Sequence, residues 1–226
     1  MPDLSTTYLG LKLRNPIVAS SSSLTGGVER IKKLEGAGVA AVVLKSLFEE
    51  QLLLDEQRIA QTLERTTDVH PESLTFYENI PYDTGPEQYL KLVEDARKAV
   101  SIPVIASLNC VTAGTWADYA RRIEGAGASA LELNLYAVQT DPARHADQIE
   151  REYLDVVSEV RAATTLPLNV KLGSFLTSVP NFVGALAARG VNGVSLFNRF
   201  YQPDLDLEGL ESKMRLTLSR PEDALV

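Results

Sequence analysis

The chain has 226 residues, 45% of them hydrophobic and 23% charged, which is ordinary for a globular domain and enough to bury a core without disulfide or metal staples. Its single cysteine, Cys110, excludes an intrachain disulfide, and one Cys with two His makes a four-ligand zinc site a poor prospect. A net charge of −8 and a pI of about 4.9 repel phosphate backbones, so no nucleic-acid partner is expected.

The N-terminal MPDLSTTYLG has no basic segment followed by an apolar run, so no signal peptide is expected. Runs such as AAVVL are too short to span a bilayer, and the expected setting is cytoplasmic, with no membrane contact. TTYLGLKLRNP reads as a small β-hairpin around Gly10. NPIVASSS (15–22) reads as a first strand, over 17–21, and GVERIKKLEGAG as the helix after it.

A repeat then organises the chain. IKKLEGAGVAAVVLKS (31–46) is a helix tail, a Gly break and a buried strand, over 40–46. ARRIEGAGASALELNLY (120–136) repeats it, including the identical EGAG, with a strand over 130–136. ALAARGVNGVSLFNR (185–199) does so again, with a strand over 193–198. Each Gly sits where a helix C-cap needs a left-handed residue, and each following run is rich in Val, Leu and Ala, as in strands buried on both faces. Two more strands follow prolines, at 103–109 and 167–173, each preceded by an amphipathic helix, GPEQYLKLVEDARKAV and HADQIEREYLDVVSEVRAAT.

Strands alternating with helices imply a parallel α/β sheet. A doubly wound dinucleotide fold needs a Gly-rich turn after its first strand, and SSSLTGG does not match one. The expected fold is therefore a (β/α)8 TIM barrel with an N-terminal β-hairpin, lacking the last two β/α units, and 1–226 is read as a single incomplete domain. RPEDALV at the end reads as the start of another helix.

Ligands of such folds bind at the C-terminal strand ends. Those ends carry Ser20, Ser21 and Ser22, then Lys45 and Ser46, then Ser107 and Asn109 on one face of strand 3. Strand 4 brings Glu132, Asn134 and Tyr136, strand 5 Asn169 and Lys171, and strand 6 Ser195, Asn198 and Arg199. A lysine inside an apolar strand is costly unless its charge is matched, so Lys45 and Lys171 point to an anionic or electron-rich ligand. The blander alternative has them facing outward or paired with Glu132 in structural salt bridges.

Taken together, NPIVASSS, VVLKS, ELNL, PLNVKLG and GVNGVSLFN resemble the dihydroorotate dehydrogenases, FMN-dependent barrels of pyrimidine biosynthesis, over nearly the whole chain. ELNL followed at this spacing by NVKL is the more specific part. The resemblance implies an oxidoreductase acting on CH–CH donors, with FMN as cofactor. It places Ser20, Ser21 and Ser22 along the flavin, Lys45 and Ser46 on the flavin and ribityl chain, and Asn134 between flavin and substrate. It puts Ser107 and Asn109 near the ring, Ser195 at a position usually Asn, and Lys171 beside the N1/O2 edge, where a cation stabilises anionic reduced flavin.

The departures are as informative. The family's proton-abstracting Cys or Ser falls on Ala137, which cannot move a proton. The substrate loop is replaced by HPESLTFYENIPYDTG, and no Gly-rich phosphate turns of the kind the family carries after strands 7 and 8 are found. The expectation is the branch of the family that has lost the catalytic base, C-terminally truncated, inactive or altered toward dihydroorotate, with weak or no FMN binding by this chain. A dihydroorotate-like small molecule is a doubtful substrate, and a homodimer is allowed for. The rival readings are a non-catalytic barrel binding FMN, another anion or a protein partner, and a Schiff-base aldolase-type barrel using Lys171 or Lys45 with Glu132 as acid. His145 is read as an exposed helix-start residue, His70 as a loop residue, and Cys110 as a small buried thiol.

Overall fold

A computed structural model describes residues 2–48, 85–109, 115–135, 139, 141–198, 204–206 and 211–213. Strands β1 (Thr6–Tyr8) and β2 (Leu11–Leu13) pair antiparallel across a turn in which Leu9 and Gly10 take φ of 53° and 76°. Two positive φ values in succession give the turn twist that matches flanking strands. β3 (Val18–Ala19) leads through a 3-10 turn, Ser23–Thr25, to helix α1 (Val28–Gly36). Then come β4 (Ala41–Val43), β5 (Leu47–Phe48), α2 (Gly85–Ala99), β6 (Val104–Asn109), α3 (Thr115–Gly125) and β7 (Ala130–Leu135). α4 (Ala146–Ala163), β8 (Leu168–Leu172), α5 (Val179–Ala187) and β9 (Gly193–Leu196) complete the alternation, and β10 (Asp204–Asp206) pairs antiparallel with β11 (Glu211–Lys213).

The main sheet runs β3-β4-β6-β7-β8-β9, every pair parallel, curled into a partial barrel. The six expected strands therefore lie side by side in chain order. Closure into a ring of eight is not seen among the described residues.

Three strand extents need correction. The run 40–46 breaks after Val43, and β5 rejoins β6 at Leu47↔Leu108. Across the break the Tyr89 hydroxyl takes both polar groups of Ser107, donating to its carbonyl at 3.0 Å and accepting from its N–H at 2.7 Å. The run 17–21 shortens to Val18–Ala19 because Ser22 caps the 3-10 turn, and 193–198 ends as a ladder at Leu196. Lys45 consequently lies beyond β4, exposed, and the cost of burying a strand lysine does not apply to it.

Alternation along each strand sorts the core into two faces. Val42, Val104, Leu131, Leu133, Val170 and their neighbours face the helices and pack with Ile31, Val93, Ile123, Val160, Phe182 and Leu186. On the concave face Ala41, Val43, Ile105 and Ala130 meet Leu9 and Leu13 of the hairpin, which plugs the end where the strands begin. Burying two leucines there contributes on the order of 2 kcal/mol each.

The repeats have matching structural jobs. Gly38, Gly127 and Gly190 take φ of 101°, 86° and 81° just past α1, α3 and α5, the left-handed turn expected of them. Three residues earlier, Glu35 accepts from the Ser101 N–H (2.8 Å), the Ser101 hydroxyl (2.6 Å) and the Ile102 N–H (3.2 Å). Glu124 accepts likewise from the Thr164 hydroxyl (2.7 Å), and from the N–H (3.2 Å) and hydroxyl of Thr165. Each glutamate thus ties the helix before one strand to the turn before the next.

Candidate functional site

The concave face is layered. Above the apolar layer, Ser107, Glu132 and Asn169 stand opposite one another, with Gly193 next in register. One step further toward the strand ends, Asn134 stands opposite Lys171 and Lys171 opposite Ser195. Stacked layers of inward side chains follow from parallel strands in register, and the polar ones fall nearest the C-terminal ends.

Hydrogen bonds join the middle layer across the sheet. The Ser21 hydroxyl accepts from the Ser46 N–H at 3.0 Å and lies 3.1 Å from the Ser46 hydroxyl, which is 2.9 Å from that of Ser107. Ser107 donates to Glu132 Oε1 at 3.4 Å, and Asn169 Nδ2 donates to Glu132 Oε2 at 2.9 Å and to Ser195 Oγ at 2.8 Å. The Tyr8 hydroxyl bonds Ser195 from the hairpin side. Asn169 Oδ1, fully buried, has no partner.

Glu132 is 3% exposed and is the one acidic or basic residue among those described that is buried. Burial pushes its carboxyl above the ordinary range, outweighing the nearby Lys171 charge and the hydrogen bonds of Asn169, Ser107 and Ser195. Burial likewise raises the Tyr8 phenol. Lys171 is half-buried within β8, and among the described residues it makes no ion pair with Glu132. A structural Glu132–Lys171 salt bridge is therefore not what holds either residue.

Among the sequence-predicted residues, Ser21, Ser46, Ser107 and Ser195 come together in this chain of bonds. Ser107 is fully buried, with its hydroxyl committed to Ser46 and Glu132. Asn109 and Asn134 are buried at 8% and 7% exposure, and Asn134 Oδ1 accepts from Asn198 Nδ2 at 2.9 Å. Lys171 shares the Asn134 layer. Ser20 is exposed and lines a cavity of about 370 Å³ between hairpin and sheet, with Tyr8, Val18, Val43, Glu132 and Ser195. Ser22 stands apart, exposed, its hydroxyl accepting from the Leu24 N–H at 3.3 Å. Lys45 lies along Gly26, where an added Cβ would meet its Cδ at 3.5 Å. His145 is the exposed N-cap of α4, its N–H bonded to Gln148 Oε1 at 3.0 Å. Tyr136, Ala137, His70, Cys110 and Arg199 lie outside the described residues.

One contributor escapes a reading of strand ends. Tyr8 enters from the hairpin, and nothing local in TTYLG marks it. Asn169, read at the end of strand 5, joins the middle layer two residues before Lys171 on the same face. Among the described residues no cluster of acidic, His or Cys side chains is built to hold a metal, and no helix is long and apolar enough to cross a membrane.

No family model matches the chain. Curated relatives do. The catalytic subunit of dihydroorotate dehydrogenase B (NAD(+)) from Geobacter sp. (strain M21) is 27% identical over 221 residues, 92% of this chain and 66% of the relative. The subunits of the same name from Desulforudis audaxviator (strain MP104C) and Endomicrobium trichonymphae are 27% and 24% identical, over 88% and 95% of this chain and 63% and 67% of theirs. The chain spans about two-thirds of the length of these relatives. Along about nine-tenths of its own length, the chain is a homologue of the dihydroorotate dehydrogenases.

Proposed function

We propose that the chain is a dihydroorotate dehydrogenase-like, FMN-binding oxidoreductase that does not oxidise dihydroorotate. The observation that carries the flavin part is the Asn134–Lys171–Ser195 layer at the strand ends, a cation flanked by an amide and a hydroxyl. This donor set suits the electron-rich pyrimidine edge of an isoalloxazine ring. When bound, FMN would supply the hydride-accepting group. Lys171 would hold negative charge at that edge, Asn134, oriented by Asn198, would fix the ring, and Ser20 would lie on the open side of the cavity. Ser107 contributes from below, by fixing Ser46 and Glu132. Lys45 and Ser22 are left for the outer parts of the cofactor, and Asn109, two residues nearer the strand end than Ser107, would lie near the ring. The printed names of the relatives favour the same chemistry.

Ala137, at the position where the family carries its base, favours a second reading within this one, a relative that binds flavin without turning over the family's substrate. Fluorescence titration with FMN tests the flavin assignment. The wild-type chain quenches FMN weakly but saturably, and Lys171→Gln weakens binding about tenfold further, the effect of one charge-assisted contact. Equal affinity of both proteins would remove Lys171 from the site, and no quenching by either would overturn the reading. Cytoplasmic location and a homodimer remain part of the proposal, read out by fractionation and by sedimentation.

A further inference from the structure

Glu132 has no evident task in the flavin reading, yet it sits at the centre of the concave face. Five features fix its situation. It is 3% exposed and borders the cavity. It has no ion-pair partner among the described residues, because Lys171 stands one register step nearer the strand ends, opposite Asn134. The donor opposite it, Asn169, is neutral. The other donors are neutral hydroxyls, that of Ser107, long at 3.4 Å, and that of Ser195. The titratable groups that face it are Lys171 from β8, Tyr8 from the hairpin and Tyr89 from α2, so one cation is set against two phenols.

A bare carboxylate in such a place is costly, and three neutral donors, one of them long, do not compensate it as a matched cation would. Uncharged, the same carboxyl keeps its bonds to Asn169 and Ser107 and leaves the Lys171 charge uncancelled. We propose that Glu132 is the specificity-determining residue of this pocket: it remains the neutral acid, and so reserves the Lys171 charge for an anionic edge of the bound ligand. The proposal deepens the ligand assignment above and rests on it for the ligand's nature, while the protonation state of Glu132 stands independently.

Ligand-free unfolding tests that state. Glutamate in the unfolded chain ionises near its ordinary 4.5. A neutral Glu132 in the folded protein therefore adds stability that is full below that value and declines as pH rises toward the folded value. Urea unfolding of wild type and Glu132→Gln is compared from pH 5 to 7. The expected result is a wild-type folding constant that falls, relative to the variant, about tenfold per pH unit, the signature of one proton. A pH-independent ratio, or a wild type that gains on the variant, would overturn the proposal. Should the variant not fold, carboxyl-carbon NMR of wild-type protein labelled at glutamate decides the same point. One glutamate still protonated at pH 7 is expected, and full ionisation of every glutamate overturns it.

FMN titration from pH 6 to 9 then tests selectivity. Wild-type affinity falls several-fold once Glu132 ionises and begins to cancel Lys171, and this fall is missing from the Glu132→Gln profile. Superimposable falling profiles would refute the selectivity role. Absence of FMN binding at every pH would count against the flavin assignment, with the unfolding result still deciding the state of Glu132.

Discussion

Tyr89 closes a gap that neighbouring strands leave open. Its hydroxyl serves both backbone groups of Ser107 where β4 departs from β6 and before β5 arrives. Burial drives its phenol well above the usual range, so it acts as a neutral donor and acceptor throughout the accessible pH range. Tyr89→Phe keeps the ring and strands a buried N–H and C=O. It should lower stability by about 1–3 kcal/mol, read as a lower urea midpoint with unchanged slope. A shift below about 0.5 kcal/mol would mean that β4 and β6 can close the gap themselves. This role was hidden in the sequence, because it depends on where a strand breaks and not on local pattern. The polar strand-end residues were legible because alternation placed Ser107, Asn134 and Lys171 on one face. Their division into a buried middle layer and an outer layer was not, since it depends on register between strands far apart in the chain.

At the scale of elements, the repeat announced itself through its glycines and apolar runs, and three left-handed turns stand where it put them. Strand extents were less legible, as β3 and β4 show. A Val- and Leu-rich run says that a segment is buried, whereas hydrogen-bond partners decide where its ladder stops. The glutamate of EGAG has a role that its repetition hinted at but could not specify. Glu35 and Glu124 each collect hydrogen bonds from the turn before the neighbouring strand, chiefly from Ser101 and from Thr165, and these hold both carboxyls below their ordinary 4.5. A lowered folded value means that the stabilisation is complete above 4.5 and is lost as pH falls through the folded value. Both carboxylates are half-buried and partly screened by water, so each contributes about 1 kcal/mol. Glu35→Gln combined with Glu124→Gln should flatten the acid limb of the stability profile and leave its slope above neutrality unchanged. An acid limb identical to that of wild type would assign the lost stability to other carboxylates. Glu132 acts in the opposite direction, and comparing the two variant sets separates the contributions.

At the scale of the whole molecule, the parallel order of six strands, the outer helices and the plugging hairpin form a cradle whose polar layers face one way. Gly193 shows how closely the plug is seated, since a Cβ there would lie 2.6 Å from Leu9 Cδ2. The cradle, the names of the relatives and the Lys171 layer favour flavin chemistry, while on the proposed reading Ala137 stands where the family's proton acceptor would be. General base catalysis is worth about 10² to 10⁴-fold, and the altered segment at 70–85 threatens substrate positioning as well. For that reason Ala137→Cys alone is not expected to restore turnover. The most direct test of a flavin cradle without the family's turnover is anaerobic mixing of FMN-loaded protein with dihydroorotate, following the visible flavin band. The expected result is a band that persists on mixing with dihydroorotate and disappears on adding a chemical reductant. Rapid bleaching by dihydroorotate itself would contradict it and would show that another residue takes the proton.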